Sequence, residues 1–243
     1  MSSPEPGAPE APRESAVSRI PGVFFSPVRT FESIARRPTW LAPLILWTLA
    51  SAVVTLLVVP RMDFEPAVRE AMEKRGQNVS EERMASIVES QKGIASAIGY
   101  ASGFVAPTLV ALLVALVYFG AFKAFGWDLR FKQSFGVTTH AFLPSVLGYL
   151  LAIPVIMRRE RIDPRGMGDL VRSNLGFLVS RTDSPALYSL LSALDVFSFW
   201  CLALLVIGYA AAARVSRGKA AGIIVTIWAL YVLGKAGWAA AFS

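Results

Sequence analysis

Five long stretches without a charge constrain this chain more than any other feature. The first, Trp40 to Val59 (WLAPLILWTLASAVVTLLVV), is long enough at about 1.5 Å per residue to cross the roughly 30 Å hydrocarbon core of a bilayer. The others run from Ile94 to Phe122, from Gln133 to Met157, from about Asp195 to Ala213, and from Ala220 to Phe242, the last interrupted only by Lys235. Composition agrees. The chain is 54% hydrophobic and 17% charged, against about 25% charged in a soluble domain, and its mean hydropathy is +0.52. The expected fold class is an all-α integral membrane protein: a five-transmembrane-helix bundle preceded by an interfacial amphipathic helix.

The segments between the spans have their own character. Residues 1–22 hold Pro4, Pro6, Pro9 and Pro12 and little apolar surface, and read as a disordered tail; no cleavable signal peptide is visible. The membrane domain then covers 23–243. In 60–93 the spacing predicts two short surface helices, one stopped at Gly76 and one capped by Ser80 with Glu81 and Glu82 in its first turn. In 158–194 a basic stretch (Arg158, Arg159, Arg161, Arg165) meets the breakers Gly166 and Gly168. The apolar piece Leu175–Val179 there suits the membrane interface.

Five spans put the termini on opposite sides. Lys and Arg are almost balanced, 11 on the N-terminal side and 12 on the other. The tight loops, however, set Lys123, Arg130, Lys132, Arg214, Arg217 and Lys219 against span ends, and Arg36 and Arg37 precede the first span, where positive-inside bias acts most strongly. The expectation is a cell (plasma or inner) membrane protein with a cytoplasmic N-terminus and an external C-terminus.

Ahead of the first span stands VFFSPVRTFESIARRPTW, residues 23–40. Ser26 suits an N-cap and Pro27 the first helical position; Val28, Phe31, Ile34 and Ala35 make an apolar stripe flanked by Arg29 and Arg36, with Arg37 following. Such a helix is expected on the lipid surface. This stretch resembles one found in the Yip family, membrane proteins named in eukaryotes for interacting with Ypt/Rab GTPases and widespread in bacteria. SNLGFL at 173–178, LDVFSFW at 194–200 with Trp200, then Gly208, and the Arg217–Lys219 loop leading to Trp228 extend the resemblance, which looks closest to the bacterial branch. It implies five spans and a cytoplasmic N-terminus.

Chemistry-bearing residues are few. The one cysteine, Cys201, and the one histidine, His140, leave no cluster for a metal or a catalytic triad, and no phosphate-loop, dinucleotide-binding or hydrolase motif occurs. No cofactor and no catalytic residue is therefore expected. Charges within spans remain, since each costs about 2.5–3.5 kcal/mol at a span's centre. Counted from the loop joining the last two spans, Asp195 and Lys235 lie at about 27 and 22 Å. Either they pair in the external third of the bilayer, or Asp195 sits at the span's entrance and Lys235 snorkels outward beside Trp238. Ser192, Asp195 and Ser198 recur at helical spacing. Gly136, His140, Pro144 and Gly148 recur at steps of four, either as a packing groove with a hydrogen-bonded histidine or with His140 as a proton-relay element; Gly99 and Gly103 form a small-residue pair, and Thr48, Ser51 and Thr55 share a face of the first span.

The net charge of +7 is arranged beside the spans, which suits anionic lipid headgroups and not nucleic acid. A membrane-protein partner or a homo-oligomer completes the expected partners. The function these features suggest is a non-enzymatic membrane organiser or adaptor working through helix and lipid contacts. The alternative is a small transporter or channel subunit using an Asp195/Lys235 polar site.

Overall fold

A computed structural model describes residues 15–77, 79–164, 167 and 170–242; residues 1–14, Arg165, Gly166 and Gly168 lie outside the described residues. The described chain is all-α, 79% helical and without strands. Ten helices follow in order: α1 (Arg19–Phe25), α2 (Pro27–Arg36), α3 (Leu41–Val58), α4 (Glu65–Lys74), α5 (Glu81–Ala124), α6 (Phe131–Ala141), α7 (Leu143–Met157), α8 (Pro185–Ala193), α9 (Val196–Ala213) and α10 (Arg217–Phe242). Five helical units are long and apolar enough to cross a membrane: α3, α5, α6 with α7, α9 and α10. Apart from the start of α5, their bounds lie within about three residues of the uncharged runs, because a backbone in lipid must satisfy its polar groups in helical hydrogen bonds. The end of the bundle where α3 begins is the near end, and the opposite one the far end.

Three expectations are corrected. The tail does not extend to residue 22: α1 starts at Arg19, whose guanidinium is buried and donates to the Arg37 carbonyl (2.8 Å), Thr39 Oγ1 (2.8 Å) and Ser33 Oγ (2.9 Å). The second surface helix expected in 60–93 is not separate. Ser80 caps its start, accepting from the Arg83 amide, but the helix runs on unbroken into the second span for 44 residues. At about 1.5 Å per residue that is twice the bilayer core, so its charged beginning projects beyond the membrane. There Arg69 of α4 bonds Glu65 and Glu81, and those two carboxylates, Glu65 first, raise its pKa from the ordinary value. Third, the third span is two helices. Pro144 has no N–H to give the His140 carbonyl, and the chain breaks at Phe142 before α7 resumes.

Helix α9 is central: half of its apolar window is buried by the rest of the chain, against 22% for α5 and α10. The main core joins Phe31, Ile34, Phe122, Leu129, Val137, Leu205, Tyr209 and Ile224 at the near end. The far end has a smaller cluster of Val58, Ala152, Ile156, Ile162 and Leu170. It is tied by Met62 pairing with Ile162 and by the Arg161–Asp63 ion pair at 3.2 Å. The small-residue pair on α5 does pack a neighbour. A methyl at Gly99 would strike Val59 at 2.9 Å, and one at Gly103 would strike Thr55.

Candidate functional site at the far end

Two of the quoted sequence motifs meet at the far end. Asp195 precedes α9 in extended conformation (φ −113°, ψ 136°) and caps it: Oδ1 accepts from the Ser198 amide at 2.9 Å. Aspartate suits this place because its charge answers the unpaired amides and positive dipole of a helix start. Oδ2 accepts a short hydrogen bond from Ser173 Oγ. The Val196 amide donates to the Ser173 carbonyl (3.1 Å) and the Leu175 amide to the Leu191 carbonyl (3.2 Å), which pins SNLGFL across the start of LDVFSFW. Asn174 turns the chain there, its Oδ1 accepting from the Gly176 amide at 2.8 Å. Gly176 is required: a methyl would lie 2.8 Å from Asn174 Oδ1 and 3.2 Å from the Tyr188 ring.

Two clefts flank this strap. One, of about 410 Å³, is lined by Asp195, Ser198, Ser145, Gly148, Tyr149 and Ser173 among others. The second, of about 510 Å³, lies between α8 and α10 and holds Arg181, Tyr188, Ser189, Lys235, Trp238 and Phe242. Asn174 and Ser192 line both clefts and form the wall between them. The expected Asp195–Lys235 pair is not formed among the described residues. Both Asp195 oxygens are engaged by Ser173 and Ser198, and Lys235 faces the other cleft beside Trp238. Depth alone placed them together; the strap separates them. Ser192, Asp195 and Ser198 do share the first cleft, although Ser192 belongs to α8 and Ser198 to α9.

The remaining candidates are spread along the bundle. His140 is fully buried, with Nδ1 2.8 Å from the Gly136 carbonyl. The groove of Gly136, Pro144 and Gly148 is divided by the break at Phe142: Gly136 packs on Thr39 and Ile34, and Gly148 on Phe197. Gly208 is where α2 crosses α9; a methyl there would meet Phe31 at 2.8 Å and overlap Val137. Phe31, Ile34 and Ala35 are buried, so most of the stripe of α2 is covered by protein, while Val28 at its start stays exposed. Arg29, Arg36 and Arg37 remain exposed, and Pro27 opens the helix. With α1, α2 forms a hairpin along α9, Phe24 meeting Trp200 edge-on at 5.5 Å. Trp200 precedes Ala213 by 213 − 200 = 13 residues, so the hairpin reaches about 20 Å from the near end of α9. Cys201 is buried, its Sγ 3.7 Å from Ser145 Oγ.

Sequence reasoning missed a buried hydroxyl network. Tyr209 Oη lies 2.6 Å from Ser134 Oγ and 3.0 Å from Thr138 Oγ1, while Ser134 Oγ donates to the Ala115 carbonyl at 2.6 Å. Ser134 and Thr138, four apart in an apolar run, were its visible signal. Among the described residues no three His, Cys, Asp or Glu side chains gather as a metal site.

The architecture defines a multi-pass, all-α membrane protein. A family model for the Yip1 domain matches residues 22–239, and the chain belongs to that family. Yip1 proteins are membrane proteins not known for enzymatic activity. No curated protein and no solved structure matches the chain.

Proposed function

We propose that this chain is a non-enzymatic organiser or adaptor of the cell membrane, with a cytoplasmic N-terminus and an external C-terminus, acting through helix and lipid contacts. The observation that carries the reading is how polar and apolar surface is allotted. Several polar side chains of the bundle are bonded within it: Tyr209 with Ser134 and Thr138, and Asp195 with the Ser173 hydroxyl and the Ser198 amide. Large apolar side chains line the outside instead, Leu109, Leu113 and Leu116 on α5 and Leu230 and Leu233 on α10. Lipid covers such faces, and a partner helix or a second copy exchanges for lipid where packing is better. The basic residues at the near ends of the spans support the orientation.

A photo-reactive residue at Leu113 or Leu116 tests this. In native membranes it gives a discrete protein adduct, while the same probe at the buried Ala115 gives none. Solute flux through proteoliposomes that Asp195→Asn abolishes, with lipid adducts alone at Leu113, overturns the reading in favour of transport. An activity assay of a reporter fused after Ser243 checks the orientation; activity confined to the cytoplasm reverses it.

A further inference from the structure

The cleft between α8 and α10 has the chemistry of an anion site. Lys235 forms no ion pair or hydrogen bond among the described residues and projects into it. Arg181 lies over the Tyr188 ring, 5.5 Å from its centroid, at the same cleft. Ser189 supplies an independent sign: it is 4% exposed, its Oγ has no hydrogen-bond partner, and it lines this cavity. A buried hydroxyl without a partner is costly unless something fills the space beside it. No carboxylate lines the cleft among the described residues; Asp195 lies beyond the Asn174–Ser192 wall with its oxygens engaged elsewhere.

Depth narrows the ligand. Lys235 is 235 − 217 = 18 residues along α10, about 27 Å from its basic near-end start and so in the far third of the roughly 30 Å core, from which its long stem reaches the headgroups of the far leaflet. Trp238 and Phe242, their tilted rings 4.3 Å apart and largely exposed, stand at the same rim, where aromatic belts form. A phosphate carries several acceptor oxygens for the Lys235 ammonium, the Arg181 guanidinium and the Ser189 hydroxyl, and a glycerol or acyl segment suits the Trp238 and Phe242 side chains. We propose that this cleft binds a phosphate-bearing anion, the headgroup of an anionic phospholipid, through Lys235, Arg181 and Ser189. The proposal rests on the reading of the chain as a lipid-contacting organiser and names the lipid class and the place.

Native mass spectrometry of the full-length protein in detergent, titrated with phosphatidylglycerol or phosphatidylcholine, tests it. Wild type retains phosphatidylglycerol preferentially. Lys235→Met and Arg181→Gln each weaken that binding about fivefold and together about 20-fold or more, while Lys235→Arg keeps it. Ser189→Ala weakens it less, and Lys219→Met at the near end leaves it unchanged. Displacement by millimolar glycerol 3-phosphate assigns the same site to a soluble phosphate compound, and resistance to it assigns the site to lipid. Equal retention of the two lipids by wild type overturns the proposal. So does wild-type affinity in an Arg181→Gln/Lys235→Met protein with unchanged melting temperature. Purified protein suffices here, so failure of this test is separate from failure of the α5 cross-linking.

Discussion

The near and far ends of the bundle are built on different terms. Glycine lets elements touch at both ends: Gly22 packs on Thr30, Gly136 on the Thr39 carbonyl and Gly208 on Phe31 at the near end, and Gly99 on Val59 and Gly103 on Thr55 at the far end. The polar groups of the near end are enclosed, with Tyr209, Ser134, Thr138 and His140 all fully buried. At the far end a cap and a strap hold the pieces, and two clefts separate them. Between helices in lipid there is little hydrophobic drive, so cohesion comes from close packing and hydrogen bonds. Both ends pack closely; the near end adds an enclosed hydroxyl network, and the far end leaves polar side chains along two clefts.

Mutations that separate these terms have a natural order. Phe31→Ala removes a fully buried ring from the α2–α9 crossing and should cost about 3–5 kcal/mol in thermal unfolding in detergent. Gly208→Ala, which forces Phe31 and Val137 apart, should cost about 1–3 kcal/mol by the same measurement. Tyr209→Phe removes one member of the hydroxyl network, at about 1–2 kcal/mol. At the far end Asp195→Ala removes a cap at about 1 kcal/mol, and Asp195→Asn, which still caps, a few tenths. The smallest effect is the coupling of Asp195→Asn with Lys235→Met, additive within about 0.5 kcal/mol in a double-mutant cycle. A loss from Asp195→Ala as large as that from Phe31→Ala would erase the contrast between the ends, and a coupling well above that figure would restore a direct pair.

The spans were legible because long uncharged runs admit few alternatives in a bilayer. The break at Phe142 was not, since proline gives an ambiguous signal in apolar helices: Pro107 and Pro154 sit inside continuous helices here, whereas Pro144 starts one. The cap position of Asp195 was within reach of sequence reasoning as a span entrance. Its bond to Ser173, 22 residues earlier, was not, because periodicity carries no information about where a loop returns. Arg19 was missed for a related reason. Its helix is seven residues long, too short to stand alone, and only Ser33, Arg37 and Thr39 make it a folded element. The stripe of α2 was read correctly as amphipathic, yet amphipathicity does not say whether lipid or protein will cover it.

The α1–α2 hairpin is also a matter of timing. Phe31 docks on Gly208, which follows it by 208 − 31 = 177 residues. At about 5–20 residues per second, synthesis leaves the hairpin without its receptor for roughly 9 to 35 s. Until α6 brings Gly136 to Ile34 and α9 brings Gly208 to Phe31, its apolar stripe has the membrane surface to cover it, so the position that the amphipathic pattern suggests is a station of the growing chain. Emergence of α9 then draws the first-made segment onto one of the last, closing the bundle from its beginning.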